Sequence, residues 1–99
     1  MNSVFRTEEF DRWLSKLRDG LGKGRIIHRI RALERGRAGD CKSLGNGVWE
    51  LRIHVGPGYR VYFTRVSEST LILLCGGKKG AQRRDISRAR RLALEYELD

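Results

Sequence analysis

Apolar and polar side chains alternate through the middle of the chain, over the stretch WELRIHVGPGYRVYF at residues 49–63. Alternation sends successive side chains to opposite faces of a strand. The pattern therefore predicts two antiparallel strands that are joined at Gly56-Pro57-Gly58. The apolar face of this hairpin, which we expect to form core, consists of Trp49, Leu51, Ile53, Val55, Val61 and Phe63. The polar face consists of Glu50, Arg52, His54, Arg60, Tyr62 and Thr64.

The amino-terminal third has helical periodicity instead. A first helix is predicted after the candidate N-cap Thr7, because apolar residues recur at a spacing of three and four at Phe10, Trp13, Leu14 and Leu17. A break is predicted at Gly20–Gly22, followed by a second helix from about Lys23 to Arg35 that ends at Gly36. The outer face of the second helix carries Arg25, His28, Arg29 and Arg31. Two helices with a short connection form an αα-hairpin.

The remaining segments are predicted as strands and a final helix. Val4-Phe5 is a short opening strand, 41–44 is a strand before the turn at 45–47, and 70–75 is a central strand ended by Gly76-Gly77. Residues 78–99 contain apolar residues near helical spacing. This order predicts an α+β fold: a single domain over 1–99, with the helical hairpin packed on one face of a three- to four-stranded antiparallel sheet, and a C-terminal helix. We expect the other sheet face to be at least partly open.

Composition adds a strong positive charge to this picture. The 99 residues include 21 Lys+Arg and 12 Asp+Glu, for a net charge of +9. Such a balance favours a polyanionic partner, with nucleic acid as the first candidate and an acidic protein as the alternative. The sequence contains neither a run of about 20 apolar residues nor a signal-peptide pattern, so a cytoplasmic location without membrane contact is expected. Cys41 and Cys75 have no metal-ligand spacing, and we interpret both as reduced thiols.

The polar face of the hairpin suits RNA cleavage without a metal or other cofactor. A 2′-hydroxyl can attack the adjacent phosphorus if a base takes its proton and cations stabilise the phosphorane. Arg52 and Arg60 are candidates for the second task, and His54 for proton transfer. Glu50 has three readings: it orients His54, acts as the base, or forms a solvated pair with Arg52. Tyr62 is a candidate for stacking on a base.

A second basic block follows the predicted central strand. It consists of Lys78, Lys79, Arg83, Arg84, Arg88, Arg90 and Arg91, interrupted by Asp85. Blocks of this kind are typical of nucleic-acid surfaces, and the alternative is a solvated helix face. We expect the two lysines to emerge at the end of the sheet, beside the polar face of the hairpin. The sequence GGKKG does not have the spacing of a phosphate-binding P-loop.

Three segments together resemble the RelE/ParE toxin superfamily: FDRWLSKLRDGLGKGRIIHRIRAL, GDCKSLGNGVWELRIHVGPGYRVYF and LILLCGGKKGAQRRDISRAR. The branch they are most similar to is the phage-derived addiction module killer group, often called HigB-like. The resemblance implies a microbial RNase-like fold and the toxin of a type II toxin–antitoxin pair. RelE-like members cleave mRNA on the ribosome without a metal or nucleotide cofactor, whereas ParE-like members poison DNA gyrase. The resemblance also implies a helix-turn-helix antitoxin, with operator DNA bound only through the antitoxin complex.

The resemblance transfers to particular residues unevenly. Arg60 matches the arginine of the family's GYR motif, and Arg52 matches a basic residue on the preceding strand. Glu50 reverses the charge of a family lysine, and the family's C-terminal tyrosine has no clear equivalent. The expected catalytic residues are Arg52, His54, Arg60, Lys79 and Arg83. The expected RNA-binding residues are Arg25, Arg29, Tyr62, Lys78 and Arg84.

Three functions are open at this point. The leading hypothesis is a ribosome-dependent mRNA endoribonuclease that inhibits translation. The second is a ParE-like gyrase inhibitor without RNase activity, and the third is an inactive toxin that acts only as operon co-repressor with its antitoxin. Growth arrest, mRNA cleavage and an SOS response distinguish them.

Overall fold

A five-stranded sheet with helices on both sides organises residues 1–96, the part of the chain that this computed structural model describes. The elements in chain order are β1 (Ser3–Arg6), α1 (Glu8–Lys16), α2 (Gly20–Glu34), β2 (Cys41–Gly45), β3 (Val48–Ile53), β4 (Tyr59–Ser67), β5 (Thr70–Lys78) and α3 (Gln82–Leu94). The strand order across the sheet is β1-β5-β4-β3-β2. No helix within 1–96 is long and apolar enough to span a lipid bilayer.

The predicted α+β class is confirmed, but the sheet is larger than predicted. The opening strand at Val4-Phe5 exists as part of β1 and runs parallel to β5, with Val4 opposite Leu71. The other neighbouring strands are antiparallel, as predicted. The estimate of three to four antiparallel strands is confirmed by β2–β5, and β1 joins them as a fifth strand through a partner more than sixty residues away. Side-chain periodicity carries no information about such a distant partner.

The helical hairpin covers one face of the sheet and forms the main core with it. Phe10 of α1 and Ile26 of α2 are fully buried there against the apolar face of the β3–β4 hairpin. Trp49 and Phe63 stack across that hairpin, with ring centroids 6.3 Å apart and planes inclined by 13°. The predicted division of this hairpin into apolar and polar faces is therefore confirmed on its apolar side.

The predicted C-terminal helix, α3, covers the opposite face of the sheet, and this cover was not predicted. Ala89 of α3 belongs to a second buried cluster with Tyr62 and Cys75 of the sheet, together with Val48, Ile72 and Leu74. The expectation that helices lie on one face was wrong because the tail helix buries Ala89 instead of lying free. The open part of this face is the end of β3, where Arg52 is partly exposed and His54 is exposed.

A bulge in β5 supplies part of this second cluster. Tyr62 lies opposite Cys75 and Phe63 opposite Leu73, so Leu74 is an extra residue. Both Leu74 and Cys75 therefore point toward α3, and the Leu74 carbonyl accepts a hydrogen bond of 2.6 Å from the Thr7 hydroxyl. Burial raises the pKa of the Cys75 thiol to about 12. The interpretation of Cys75 as a small buried hydrophobe is confirmed, and both cysteines are free thiols.

Two glycine pairs do not end elements where the sequence predicted. The break between α1 and α2 lies at residues 17–19, and α2 begins at Gly20 because the Asp19 side chain caps it by accepting from the Gly22 amide at 3.0 Å. β5 likewise runs through Gly76 and Gly77. These two glycines make room for neighbours, since an added Cβ would lie 2.4 Å from the Trp13 ring at Gly76 and 1.9 Å from the Asp85 carboxylate at Gly77.

Alanine substitution should have opposite effects at two glycines. Gly76→Ala forces a methyl group against the Trp13 ring, and we expect a loss of about 1–3 kcal/mol in the free energy of unfolding. Gly24→Ala lies inside α2 with no atom within 4 Å of the new Cβ, so it should stabilise the protein by about 0.5–1 kcal/mol. Urea unfolding measures both. A stable Gly76→Ala variant would contradict the close packing of α1 on β5.

Acid stability should report on the capping of α2. The hydrogen bonds from the Gly22 amide and from the Tyr59 hydroxyl, the latter at 2.7 Å, hold the pKa of Asp19 below its ordinary value. A lowered pKa stabilises the fold above the unfolded-state pKa of about 3.9, and this contribution is lost as the pH falls toward the folded-state value. The stability difference between wild type and Asp19→Ala should therefore be constant near neutral pH and narrow below about pH 4. A stability difference that does not change with pH would contradict the role of ionised Asp19 in capping α2.

Candidate active site

The β3–β4 hairpin brings the predicted polar side chains together beneath the first turn of α3. Glu50 lies opposite Tyr62 and Arg52 opposite Arg60 in the antiparallel register. Side chains at such positions share one face of the sheet. The predicted grouping of these four residues is therefore what the structure has. Their surroundings differ from the open surface that was expected, because α3 covers three of the four.

Glu50 is the centre of this group and is 2% exposed. Its Oε1 accepts a hydrogen bond from Arg52 Nε at 3.0 Å and lies 3.9 Å from Arg60 Nε. Its Oε2 accepts from the Gln82 side-chain amide of α3 at 3.2 Å. A buried carboxylate needs such partners, because desolvation of an unpaired charge is costly. The reading of Glu50 as a solvated surface pair is wrong, and its contacts leave it as an electrostatic link between β3, β4 and α3.

Arg60 is also buried, at 5% exposed. Its Nη1 donates to the Tyr59 carbonyl at 3.1 Å, and Glu50 compensates its charge. Sequence reasoning placed this arginine first among the phosphate-binding candidates. In the structure it has little free surface with which to meet a phosphate, and its evident contacts are within the fold.

Tyr62 is fully buried beneath α3, beside Glu50 and Asp85. Burial raises the pKa of its hydroxyl far above the ordinary value, and the negative charges of these two neighbours raise it further. The prediction that Tyr62 stacks on an RNA base is contradicted, since a fully buried ring has no face to offer. Asp85 is 2% exposed and lies over Gly77. Gln82 and Asp85 thus both face the sheet from the first turn of α3.

The exposed part of the group lies one step further along β3. His54 Nε2 is 2.5 Å from Asp40 Oδ2, and Arg52 Nη1 is 3.9 Å from Asp40 Oδ1. The hydrogen bond from His54, followed by the charge of Arg52, holds the pKa of Asp40 below its ordinary value. The His54 side chain is 66% exposed. A titratable imidazole, a carboxylate and a guanidinium therefore meet at the open end of the sheet.

Sequence reasoning missed Asp40, and the cause is a β-bulge. A plain count back from the turn at 45–47 would pair Cys41 with Arg52. The observed register pairs Ser43 with Trp49 and Gly45 with Val48, which leaves Leu44 as an extra residue. This shift places Asp40 across from Arg52, whose amide donates to the Asp40 carbonyl at 3.0 Å. A bulge was not readable from the pattern of apolar residues.

The predicted cations lie on two sides of the sheet. The Lys79 amide donates to the Gly58 carbonyl at 2.9 Å, which places Lys79 in the row of strand ends that includes His54. Adjacent strands are about 4.8 Å apart, and β3 and β5 are separated by β4. The backbones of His54 and Lys79 are therefore roughly 10 Å apart. The first turn of α3 presents the exposed Arg83 and Arg84, although Arg84 Nε is also 3.7 Å from Asp85 Oδ1.

Three other predicted RNA-binding cations lie on the side of the helical hairpin. Lys78 shares the face of Tyr59, and its charge lowers the pKa of Asp19. Arg25 is exposed on α2. Arg29, predicted as an RNA contact, instead donates to the carbonyl oxygens of Arg52, Ala38 and Asp40 at 2.5, 2.9 and 3.3 Å. These three bonds occupy its guanidinium, so the structure contradicts a surface role for Arg29.

No group of three or more His, Cys, Asp or Glu side chains within 1–96 is arranged to hold a metal ion. The chemistry available from the described residues is proton transfer at His54 and charge stabilisation by Arg52, Lys79 and Arg83. These groups suit a phosphodiester with a neighbouring hydroxyl.

Comparison with known proteins shows which family and which solved fold the chain is similar to. The sequence model of the family described as phage derived protein Gp49-like (DUF891) matches residues 12–93. An uncharacterized protein of Haemophilus influenzae is 48% identical over 92 residues, which cover 93% of each chain. The solved structure of a double arginine mutant of the E. coli toxin RelE in the free state superposes with a TM-score of 0.69. That likeness covers 91% of this chain and 96% of the other at 17% sequence identity, and it shows a shared fold.

Loss of the Glu50 charge should destabilise the protein strongly. Glu50→Gln keeps the side-chain shape but leaves Arg60 buried without a counter-charge, and we expect a loss of about 3–5 kcal/mol in the free energy of unfolding. Asp11→Asn is the matched control, because Asp11 pairs with Arg6 at 3.5 Å with both side chains exposed. That variant should lose less than about 1 kcal/mol. Equal losses in urea unfolding would contradict the central role of Glu50.

Proposed function

The chain belongs to the Gp49-like family of phage-derived proteins, within the RelE/ParE toxin superfamily whose fold it has, and from this premise we propose that it is a toxin that cleaves mRNA on the ribosome. The resemblance found in the sequence is thereby confirmed at the level of family and fold. The proposed activity is a metal-independent endoribonuclease that inhibits translation. Its partner is a helix-turn-helix antitoxin, and the pair binds operator DNA together.

The observation that carries the proposal is the exposed His54, held against Asp40 beside Arg52 at the open end of the sheet. An imidazole can accept a proton near neutral pH, and a guanidinium stays charged at any physiological pH. Lys79 and Arg83 extend positive charge from the same end of the sheet. The net charge of +9 supports approach to RNA phosphates by the same electrostatic attraction.

The reaction follows from these groups. His54 accepts the proton of an RNA 2′-hydroxyl as its oxygen attacks the adjacent phosphorus. Arg52 stabilises the negative charge of the phosphorane. The bond from phosphorus to the 5′-oxygen then breaks, and the leaving oxygen takes a proton from water. The products are a 2′,3′-cyclic phosphate and a 5′-hydroxyl, and the imidazolium returns its proton to solvent.

The burial of Arg60 favours a second candidate, a toxin that binds its target without cutting RNA. The arginine that matches the family's GYR motif is 5% exposed and paired with Glu50. A ParE-like inhibitor of DNA gyrase, or a co-repressor that acts only with its antitoxin, would need no catalytic arginine at this position. Neither alternative requires His54.

Translation in vitro distinguishes these functions. Purified protein should produce new 5′ ends within translated mRNA, detected by primer extension, and His54→Gln should lower the cleavage rate by about 10²–10⁴-fold because proton transfer is lost. His28→Gln is the matched control, since His28 is exposed on α2 away from Arg52 and should leave cleavage unchanged.

Induction in cells supplies the contrasting outcome. Growth arrest with intact mRNA and an induced SOS reporter would overturn the nuclease proposal in favour of gyrase inhibition. Full toxicity of His54→Gln together with cleaved mRNA would retain the nuclease but remove His54 from its mechanism. Absence of growth arrest would support the co-repressor reading.

A further inference from the structure

Within the described part of the chain, the His54 side chain has one polar partner, and that partner contacts one particular ring nitrogen. Nε2 lies 2.5 Å from Asp40 Oδ2, which is within hydrogen-bonding distance. A carboxylate with a lowered pKa is an acceptor, so the nitrogen that faces it carries the proton. In the neutral imidazole the other nitrogen, Nδ1, then has the free lone pair. The contact therefore specifies which atom of His54 can accept a proton.

We propose that Asp40 is the positioning residue of the active site: it holds Nε2 of His54 and thereby makes Nδ1 the nitrogen that takes the proton of the RNA 2′-hydroxyl. This inference rests on the proposed nuclease function and adds to it a residue and an atom. The arrangement follows a general rule, in which a carboxylate fixes the tautomer and orientation of a catalytic imidazole without itself becoming protonated.

The Asp40 side chain is exposed, but the fold fixes the backbone of this residue from several directions. Its carbonyl accepts from the Arg52 amide at 3.0 Å and from Arg29 Nη2 at 3.3 Å. Arg29 Nη1 also donates to the Arg52 carbonyl at 2.5 Å, so this one guanidinium joins the segment before β2 to β3. The bulge at Leu44 brings Asp40 into this register. Asp40 is therefore held in place by backbone contacts, and its carboxylate is free to orient His54.

Charge around the pair favours the same assignment. Arg52 Nη1 lies 3.9 Å from Asp40 Oδ1, the oxygen that His54 does not contact. The two carboxylate oxygens thus have different partners, a guanidinium and an imidazole. When Nδ1 accepts the 2′-hydroxyl proton, the resulting imidazolium stands next to the Asp40 carboxylate, which stabilises it. Attack on phosphorus and departure of the 5′-oxygen proceed as described for the proposed function, with water as the source of the second proton.

Asp40→Asn is the decisive variant, because it keeps the shape of the side chain and removes its charge. We expect the turnover number for mRNA cleavage to fall by about 10–100-fold, the range found for residues that orient metal-bound histidines. KM should be unchanged, since Asp40 does not contact RNA. Asp40→Glu, which restores the carboxylate, should recover part of the rate. Asp11→Asn removes another exposed carboxylate, on α1, and should leave the rate unchanged.

A spectroscopic measurement tests the same contact without any activity. Two-bond ¹H–¹⁵N spectra of the neutral imidazoles should assign the proton of His54 to Nε2 in the wild type. In Asp40→Asn the His54 pattern should shift toward a mixture of tautomers, while His28 serves as an internal reference in the same spectrum. The Asp40 carboxyl resonance should also titrate at a higher pH in His54→Gln, because the hydrogen bond that chiefly lowers its pKa is gone.

The outcomes separate this inference from the proposed function. Unchanged His54 nitrogen shifts in Asp40→Asn would overturn the positioning role, whatever the rates. Altered shifts with an unchanged turnover number would also overturn it and leave the nuclease proposal intact. A wild-type protein that cleaves no RNA, together with the expected shifts, would remove the nuclease function but support the hold of Asp40 on His54.

Discussion

The buried carboxylate of Glu50 provides a polar connection between the β3–β4 hairpin and α3. It contacts Arg52 and Arg60 on the hairpin and Gln82 on α3. A charge at 2% exposure is tolerated only because cations and an amide replace its lost water. In return, each of these partners is held in one place. Glu50 therefore adds a charged link to the apolar packing that seats α3, and it fixes the positions of both arginines.

Because α3 covers the polar face of the hairpin, only part of that face is exposed. Gly77 has no side chain, which leaves space above β5 for the buried Asp85 of α3. Once α3 is seated, Tyr62 and Arg60 lie beneath it, and the exposed chemistry moves to the end of β3. Arg60 then acts as part of the framework that fixes Glu50 and, through it, Arg52. The arginine with the clearest family signature is thus best understood as support for its neighbour across the strands.

Local patterns predicted the elements well, because each element carries its own periodicity and turn residues. The β3–β4 hairpin, the Thr7 cap and the final helix needed no information from distant residues. Features that depend on distant partners were missed: the parallel pairing of β1 with β5, the cover of α3 over Tyr62, and the bulge that brings Asp40 to Arg52. For the candidate site, the pattern predicted that His54 and Arg52 share the polar face but could not distinguish buried cations from exposed ones. That distinction is set by packing, which alternation does not encode.

The distribution of positive charge follows from the same distinction. Arg29 donates to backbone carbonyls, and Arg60 pairs with Glu50. Arg88 lies 3.3 Å from Glu9. Two groups of surface cations were predicted to meet RNA: Lys79 and Arg83 on the α3 side, and Arg25 of α2 with Lys78 of β5 on the side of the helical hairpin. In the proposed nuclease, a phosphate backbone at His54 would extend toward the first group, where a contact would contribute both to binding and to the reaction. The second group lies across the sheet from α3, so it can act on RNA only through the long-range field, which salt screens within about 10 Å at 0.1 M.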